Sequence, residues 1–274
     1  MISVRTVDEV FNAIQQVKAA APAFCTNFFP AQKKLEGWIK HGELMSECRD
    51  GAAFFFKKDR DLQHFYFCGA SVAALQREIT SLPVLKTDRV VTDLVGNESA
   101  LVEVIKCLET AGFRHYSHLQ RMARAAQPIT ATANGTDAPV VFAGAADSQL
   151  IVDLLDSSFD HYADQLPMPY EIDAAIEAKQ VLTIKCGGEL AAMLFFETQG
   201  FTSTIRYWAV AGQFQSKRLG ASLIRHYFAT QSSVRRFILW VVATNENAVK
   251  KYQHYGYAAD GLIDHVLANE MIRP

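Results

Sequence analysis

A short run in the second half of the chain sets the strongest constraint on what it can fold into. Tyr207-Trp208-Ala209-Val210 is an apolar stretch suited to a buried strand, Ala211 to Arg218 is a polar turn, and Leu219, Leu223, His226 and Tyr227 then recur at helical spacing. A strand that runs through such a turn into a helix puts unpaired backbone N–H groups at a helix N-terminus, where the orphan donors and the helix dipole favour an anion. Lys217 and Arg218 add positive charge at the same place. Taken alone, the run is equally a plain strand-to-helix connection that binds nothing.

The next unit narrows the choice. Phe237 to Val242 reads as another strand, followed by Asn245-Glu246-Asn247-Ala248-Val249-Lys250-Lys251-Tyr252-Gln253-His254-Tyr255-Gly256-Tyr257. Here the sequence resembles the GCN5-related N-acetyltransferase (GNAT) superfamily. Its loop pattern Val-x-x-x-x-[Gln/Arg]-x-x-Gly-x-[Gly/Ala] is met by Val210, Gln215 and Gly220, with Arg218 in place of the first glycine. Its helix pattern Asn-x-x-Ala-x-x-x-Tyr-x-x-x-Gly-[Phe/Tyr] is met by Asn245, Ala248, Tyr252, Gly256 and Tyr257.

The resemblance implies an α/β fold with a mixed sheet and an acyl-CoA co-substrate, most simply acetyl-CoA. It implies that Trp208, Ala209 and Val210 hold the pantetheine arm. Gln215, Ser216, Lys217, Arg218, Leu219, Gly220, Ala221 and Ser222 would take the pyrophosphate, and Asn245 and Ala248 would complete the cofactor site. Tyr252 would donate a proton to the leaving thiolate, as a phenol with an ordinary pKa near ~10 can at neutral pH; the competing reading is an aromatic packed in the core. Relatives often keep a carboxylate on the fourth strand, where this chain has Thr204 and Arg206. Glu197 acting through a water is therefore the candidate base, with His161 or Asp160 as alternatives. Arg206, if it faces the acceptor, suits the carboxylate of an amino acid or peptide.

Length, at 274 residues, allows two domains that each bury a core. Ala125 to Pro139, rich in Ala, Thr, Pro, Gly and Asn without apolar periodicity, is the natural linker. The expected division is 1–126, a linker at 127–138, and 139–274. In the second part Val140 to Ala143 reads as a strand, Asp147 as a cap, Ser148 to His161 and Glu171 to Ala178 as helices, and Val181–Lys185 with Leu190–Glu197 as strands joined at Gly187-Gly188. The first part repeats this plan: Gly112-Phe113 aligns with Gly256-Tyr257, Glu98 to Ala111 with the later helix, and Arg89–Val95 and His115–Met122 with flanking strands. Leu108 stands where Tyr252 does and Leu101 where Asn245 does, so the repeat is read as a tandem fold whose first member lacks the cofactor chemistry; an unrelated α/β domain is the alternative.

The formal net charge of −2 gives no basic excess, which argues against a nucleic-acid binder. No apolar run is long enough to span a bilayer, and the N-terminus has no signal-peptide layout, so the expected location is cytoplasmic. Cys25, Cys48, Cys68, Cys107 and Cys186 are read as buried thiols. Neither they nor the histidines show metal spacing, and no metal is expected. Phe24 to Pro30 would either line a cleft or join the core. The expected activity is acyl-CoA-dependent N-acyl transfer to a small amine, amino acid or peptide amine. A non-catalytic CoA-binding or scaffold module and an aminoacyl-tRNA-dependent transferase are the rivals. The oligomeric state is open, a homodimer included.

Overall fold

The computed structural model describes residues 1–19, 21, 23–126 and 139–272. The chain forms two compact units, Met1–Leu119 with Gly261–Pro274, and Gln120–Asp260. The expected boundary is thus corrected in one respect, because residues from Gly261 onward pack with the first unit; the expected linker 127–138 lies outside the described residues.

The first unit runs β1 (Ile2–Ser3), α1 (Val7–Ala19), β2 (Cys25–Thr26), α2 (Gln32–Lys40), β3 (Leu44–Arg49), β4 (Ala52–Asp59), β5 (Leu62–Gly69), α3 (Val72–Ile79), α4 (Val84–Thr87), β6 (Arg89–Gly96), α5 (Glu98–Thr110) and the start of β7 (Phe113–Ala125). The second runs β8 (Val141–Phe142), α6 (Ser148–Ser158), α7 (Pro169–Glu177), β9 (Val181–Cys186), β10 (Glu189–Gln199), β11 (Thr202–Val210), α8 (Leu219–Thr230), β12 (Arg236–Val242), α9 (Glu246–His254) and the start of β13 (Ala258–Asn269). In the first unit the strand order is β1-β3-β4-β5-β6-β13-β7; in the second it is β7-β12-β11-β10-β9-β8.

Helices cover both faces of each sheet, and the sequence shows why. In β4, Phe54 and Phe56 join one core with Leu75, Ile79 and Leu108, while Ala53 and Phe55 face the other with Val10, Leu35 and Trp38. A strand buried on both faces reads as an unbroken apolar run, as Ala52 to Phe56 does. β10 repeats the division, with Leu194 and Phe196 toward α8 and Met193 and Phe195 toward α6 and α7.

The end of β13 belongs to the first unit because its pairing and its last polar side chain are both used there. Ile263 to Ala268 pair antiparallel with Gly96 to Val91. Asn269, almost fully buried, accepts from the Val90 N–H at 3.1 Å and donates to the Leu85 and Asp88 carbonyls at 3.0 and 2.8 Å.

Parallel strands β5 and β6 pair only from Leu62↔Arg89 to His64↔Val91, then part. Asn27 fills the fork: its amide donates to the Phe65 carbonyl (3.2 Å), the Thr92 hydroxyl (2.9 Å) and the Asp93 carbonyl (3.1 Å), and its carbonyl accepts from the Phe67 N–H (2.8 Å). β2 pairs with the freed end of β5, Cys25 with Gly69 and Thr26 with Cys68. The run Phe24 to Pro30 is therefore divided: Phe28 is buried core, Phe29 is 80% exposed, and Asn27 is the part that does polar work.

Cys68 and Cys107 are buried as expected, but Cys25 and Cys186 are half-buried and Cys48 is exposed. No helix among the described residues is long and apolar enough to cross a membrane.

Candidate functional site

β11 carries a β-bulge that decides where its side chains go. Phe195 of β10 pairs with Tyr207 and Phe196 with Ile205, so Arg206 is the extra residue. Ile205 therefore faces the α8 core while Tyr207, two residues on, faces α6 and α7; Ala209 follows Tyr207, and Trp208 and Val210 return to the α8 side. On its other edge β11 pairs in parallel with β12 from Thr202↔Arg236 to Ile205↔Leu239 and no further, although both strands continue. Beyond Ile205 the two strands fork.

The fork leads into the loop singled out in the sequence. Gly212–Lys217 form a 3₁₀ helix, so the N–H groups expected to be open at Gln215 to Lys217 are largely engaged in i→i−3 bonds. The open donors move to the first turn of α8. There Arg218 occupies the N-cap position at φ 54° and ψ 21°, the left-handed conformation that suits the glycine it replaces, and supplies no side-chain cap. Ala221 N–H bonds back to the Arg218 carbonyl at 3.0 Å. Gly220 lets the indole pack closely: a Cβ there would stand 3.3 Å from the Trp208 ring. Leu219 is buried, Ala221 and Ser222 are half-buried, and Gln215, Lys217 and Arg218 are exposed. An uncapped helix N-terminus beside two exposed cations, reached from a fork of unpaired strand edges, fits a long ligand with an anionic end.

Tyr252, on α9, packs its ring 5.7 Å from that of Trp208 and 6.4 Å from Tyr257. Burial, with the charge of Asp164 adding, pushes its hydroxyl up to about 12, so it holds its proton at neutral pH. Asn245 caps α9 by accepting from the Ala248 N–H at 3.1 Å, and Ala248 packs on the core. These two are placed by helix capping and packing, beside Tyr252.

The acceptor side differs from expectation. Arg206 is half-buried; burial pulls its guanidinium down, but Tyr207, Glu197 and Glu171 outweigh this and hold it above the usual arginine range. The charges of Glu197 and Glu171 both reach it. Glu197 lies opposite Thr204, on the stretch where β11 and β12 are still paired. The helix expected to reach His161 stops at Ser158, and His161 faces Asp156 at 3.8 Å. Asp160 folds the turn that follows, accepting from the Tyr162 and Ala163 N–H groups at 2.8 and 3.3 Å.

The residue that sequence reasoning missed is Asp164. Burial pushes its carboxyl up to about 6, the N–H bond from Asp160 opposing and the Asp160 charge adding. Its field reaches both Tyr252 and Tyr207. No local pattern marks it, since an aspartate in a polar turn is ordinary until tertiary packing removes its water. In the first unit His115, His118 and His265 cluster, with ring centroids 5.5 to 6.4 Å apart. No group of metal ligands occurs among the described residues.

Comparison with known proteins agrees with this geometry. Residues 149–257, within the second unit, match the Acetyltransferase (GNAT) family. The whole fold is similar to a tandem GNAT protein from the clavulanic acid biosynthesis pathway, with a TM-score of 0.64, 9% identity, and 100% of this chain and 98% of that one covered. It is also similar to a GCN5-related N-acetyltransferase from Sphaerobacter thermophilus, with a TM-score of 0.59, 12% identity, and 97% and 91% covered. Another, from Kribbella flavida, gives a TM-score of 0.56 at 14% identity, with 86% and 93% covered. No curated protein matches the chain.

Proposed function

We propose that the second unit transfers an acyl group, most simply acetyl, from acyl-CoA to the nitrogen of a small amine, amino acid or peptide. The observation that carries this reading is the fork between β11 and β12, which opens after Ile205↔Leu239 and leads to the uncapped N-terminus of α8 with Tyr252 packed alongside. Acyl-CoA supplies the activated thioester. The strand edge from Trp208 to Val210 supplies backbone hydrogen bonds to the pantetheine arm, and Lys217, Arg218 and the first turn of α8 meet its phosphates. Tyr252 holds the proton that the departing thiolate takes. Holding donor and acceptor side by side removes the entropic part of the barrier. The acidic surroundings of Arg206 suit an ammonium acceptor better than a carboxylate.

Calorimetry with acetyl-CoA, followed by thiol-release assays over amines and amino acids, tests the reading. Binding of one CoA per chain with thiol release supports it. Binding without release against any amine favours a non-catalytic CoA-binding module, and no binding overturns both.

A further inference from the structure

We propose that Asp164, in the loop between α6 and α7, is the proton acceptor for the amine nucleophile; the assignment rests on the acyl-transfer reading above. The loop holds Asp164 in place by bonds from three directions. Its N–H donates to the Asp160 carbonyl at 2.9 Å, and its Oδ2 accepts from the Asp160 N–H at 2.9 Å. Its own carbonyl, with that of Gln165, accepts from the Tyr207 hydroxyl at 3.0 and 2.7 Å. Tyr207 is the first residue past the bulge, where β11 has already left β12. The loop is therefore tied to the strand at the fork. Oδ1 takes part in none of these bonds. Gln165 follows at φ 44°, a left-handed angle that a non-glycine residue adopts only where its surroundings enforce it.

Asp164 and Tyr252 bracket the reaction with opposite tasks. A half-buried carboxylate that titrates near about 6 is ionised at neutral pH yet still a usable base, while a phenol near about 12 is a proton donor only. The steps balance as follows. The acceptor ammonium gives one proton to Asp164 Oδ1, and its freed lone pair attacks the thioester carbonyl carbon. The N–C bond forms, the C–S bond breaks, and the sulfur takes the Tyr252 proton. The second proton lost by the nitrogen restores Tyr252, and Asp164 releases its proton to solvent. The other candidates are engaged elsewhere: Glu197 with Arg206, His161 with Asp156, and Asp160 with the turn.

The test is the pH dependence of thiol release by the full chain, with saturating acetyl-CoA and a mixture of amino acids and their amides as acceptors, between about pH 5 and about pH 9. In the wild type kcat/KM for the acceptor should rise with pH through an apparent pKa near about 6. Asp164→Asn should remove that limb and lower the rate by about 10²-fold or more, with acetyl-CoA affinity unchanged by calorimetry as proof of folding. Asp160→Asn, which removes the charge that adds to burial in raising Asp164, should move the limb to lower pH. An active wild type whose limb is unmoved in both variants overturns the role of Asp164 alone. A wild type that binds acetyl-CoA but releases no thiol with any amine overturns the acyl-transfer reading and this assignment with it.

Discussion

The two units contain the same fork and treat it in opposite ways. In the first, β5 and β6 part after His64↔Val91, and the exposed backbone groups are met by Asn27, Thr26 and Thr92 from the same chain. The helix that follows is closed too, since Ser71 caps α3 by accepting from the Ala74 N–H at 3.1 Å. In the second, β11 and β12 part after Ile205↔Leu239, and α8 begins without a side-chain cap. Sheet topology therefore does not decide whether such a cleft can take a ligand. Buried peptide groups must find partners; where the chain supplies them the cleft is finished, and where it does not, water or a ligand must.

The comparison can be broken most forcefully at Tyr252. Tyr252→Phe keeps the ring packed on Trp208 and removes the proton, so kcat should fall about 10²- to 10⁴-fold while KM for acetyl-CoA stays close to wild type. An unchanged kcat, in an assay limited by chemistry, would make Tyr252 a core side chain, as its counterpart Leu108 is.

Asn27→Ala probes the filled fork. It strands the Phe67 N–H and takes a donor from the Phe65 and Asp93 carbonyls, which should lower stability by about 1–3 kcal/mol in urea melts, with acetyl-CoA stoichiometry still one per chain. A rise to two would mean that Asn27 is the whole difference between the units.

Arg218→Ala should weaken acetyl-CoA binding by about 1–3 kcal/mol, the loss expected for a charge-assisted contact to phosphate. Arg218→Gly removes the same charge but relieves a left-handed angle, so it should melt higher by about 1 kcal/mol while binding as weakly as the alanine variant. Tighter binding by the glycine variant would show that the arginine obstructs the loop.

The smallest effect is on stability against pH. Asp164 binds its proton more tightly folded than unfolded, so folding is favoured most at low pH and loses stability as pH rises from about 4 to about 6. Discounted for partial exposure, the change is about 1–2 kcal/mol. Asp164→Asn should flatten that part of the profile; equal slopes in variant and wild type would show that the carboxyl is not desolvated.

Much of this was legible in sequence, and the rest was hidden for identifiable reasons. The strand, loop and helix around Val210 and Gly220 were readable because their packing is local: Gly220 is small because Trp208, twelve residues earlier, lies against it. The repeat was readable from Gly112-Phe113, which end α5 as Gly256-Tyr257 end α9. Asn27 was passed over because its partners lie 38 to 66 positions away. The 3₁₀ helix at Gly212–Lys217 has no apolar period to announce it. Gly261 to Asn269 reads as a strand that could serve either sheet, and only its pairing with β6 and the three bonds of Asn269 reveal which.

That last strand also sets a timetable. Asp93 and Val266 are cross-strand partners, so the sheet of the first unit cannot be completed until synthesis has passed Val266. Until then the β6 edge, with its unpaired N–H and C=O groups, is a template for pairing with other chains. Such distant pairing is slow to form. The first unit is thus first in the sequence and among the last parts to finish, and a fragment ending at the linker would keep that edge bare permanently.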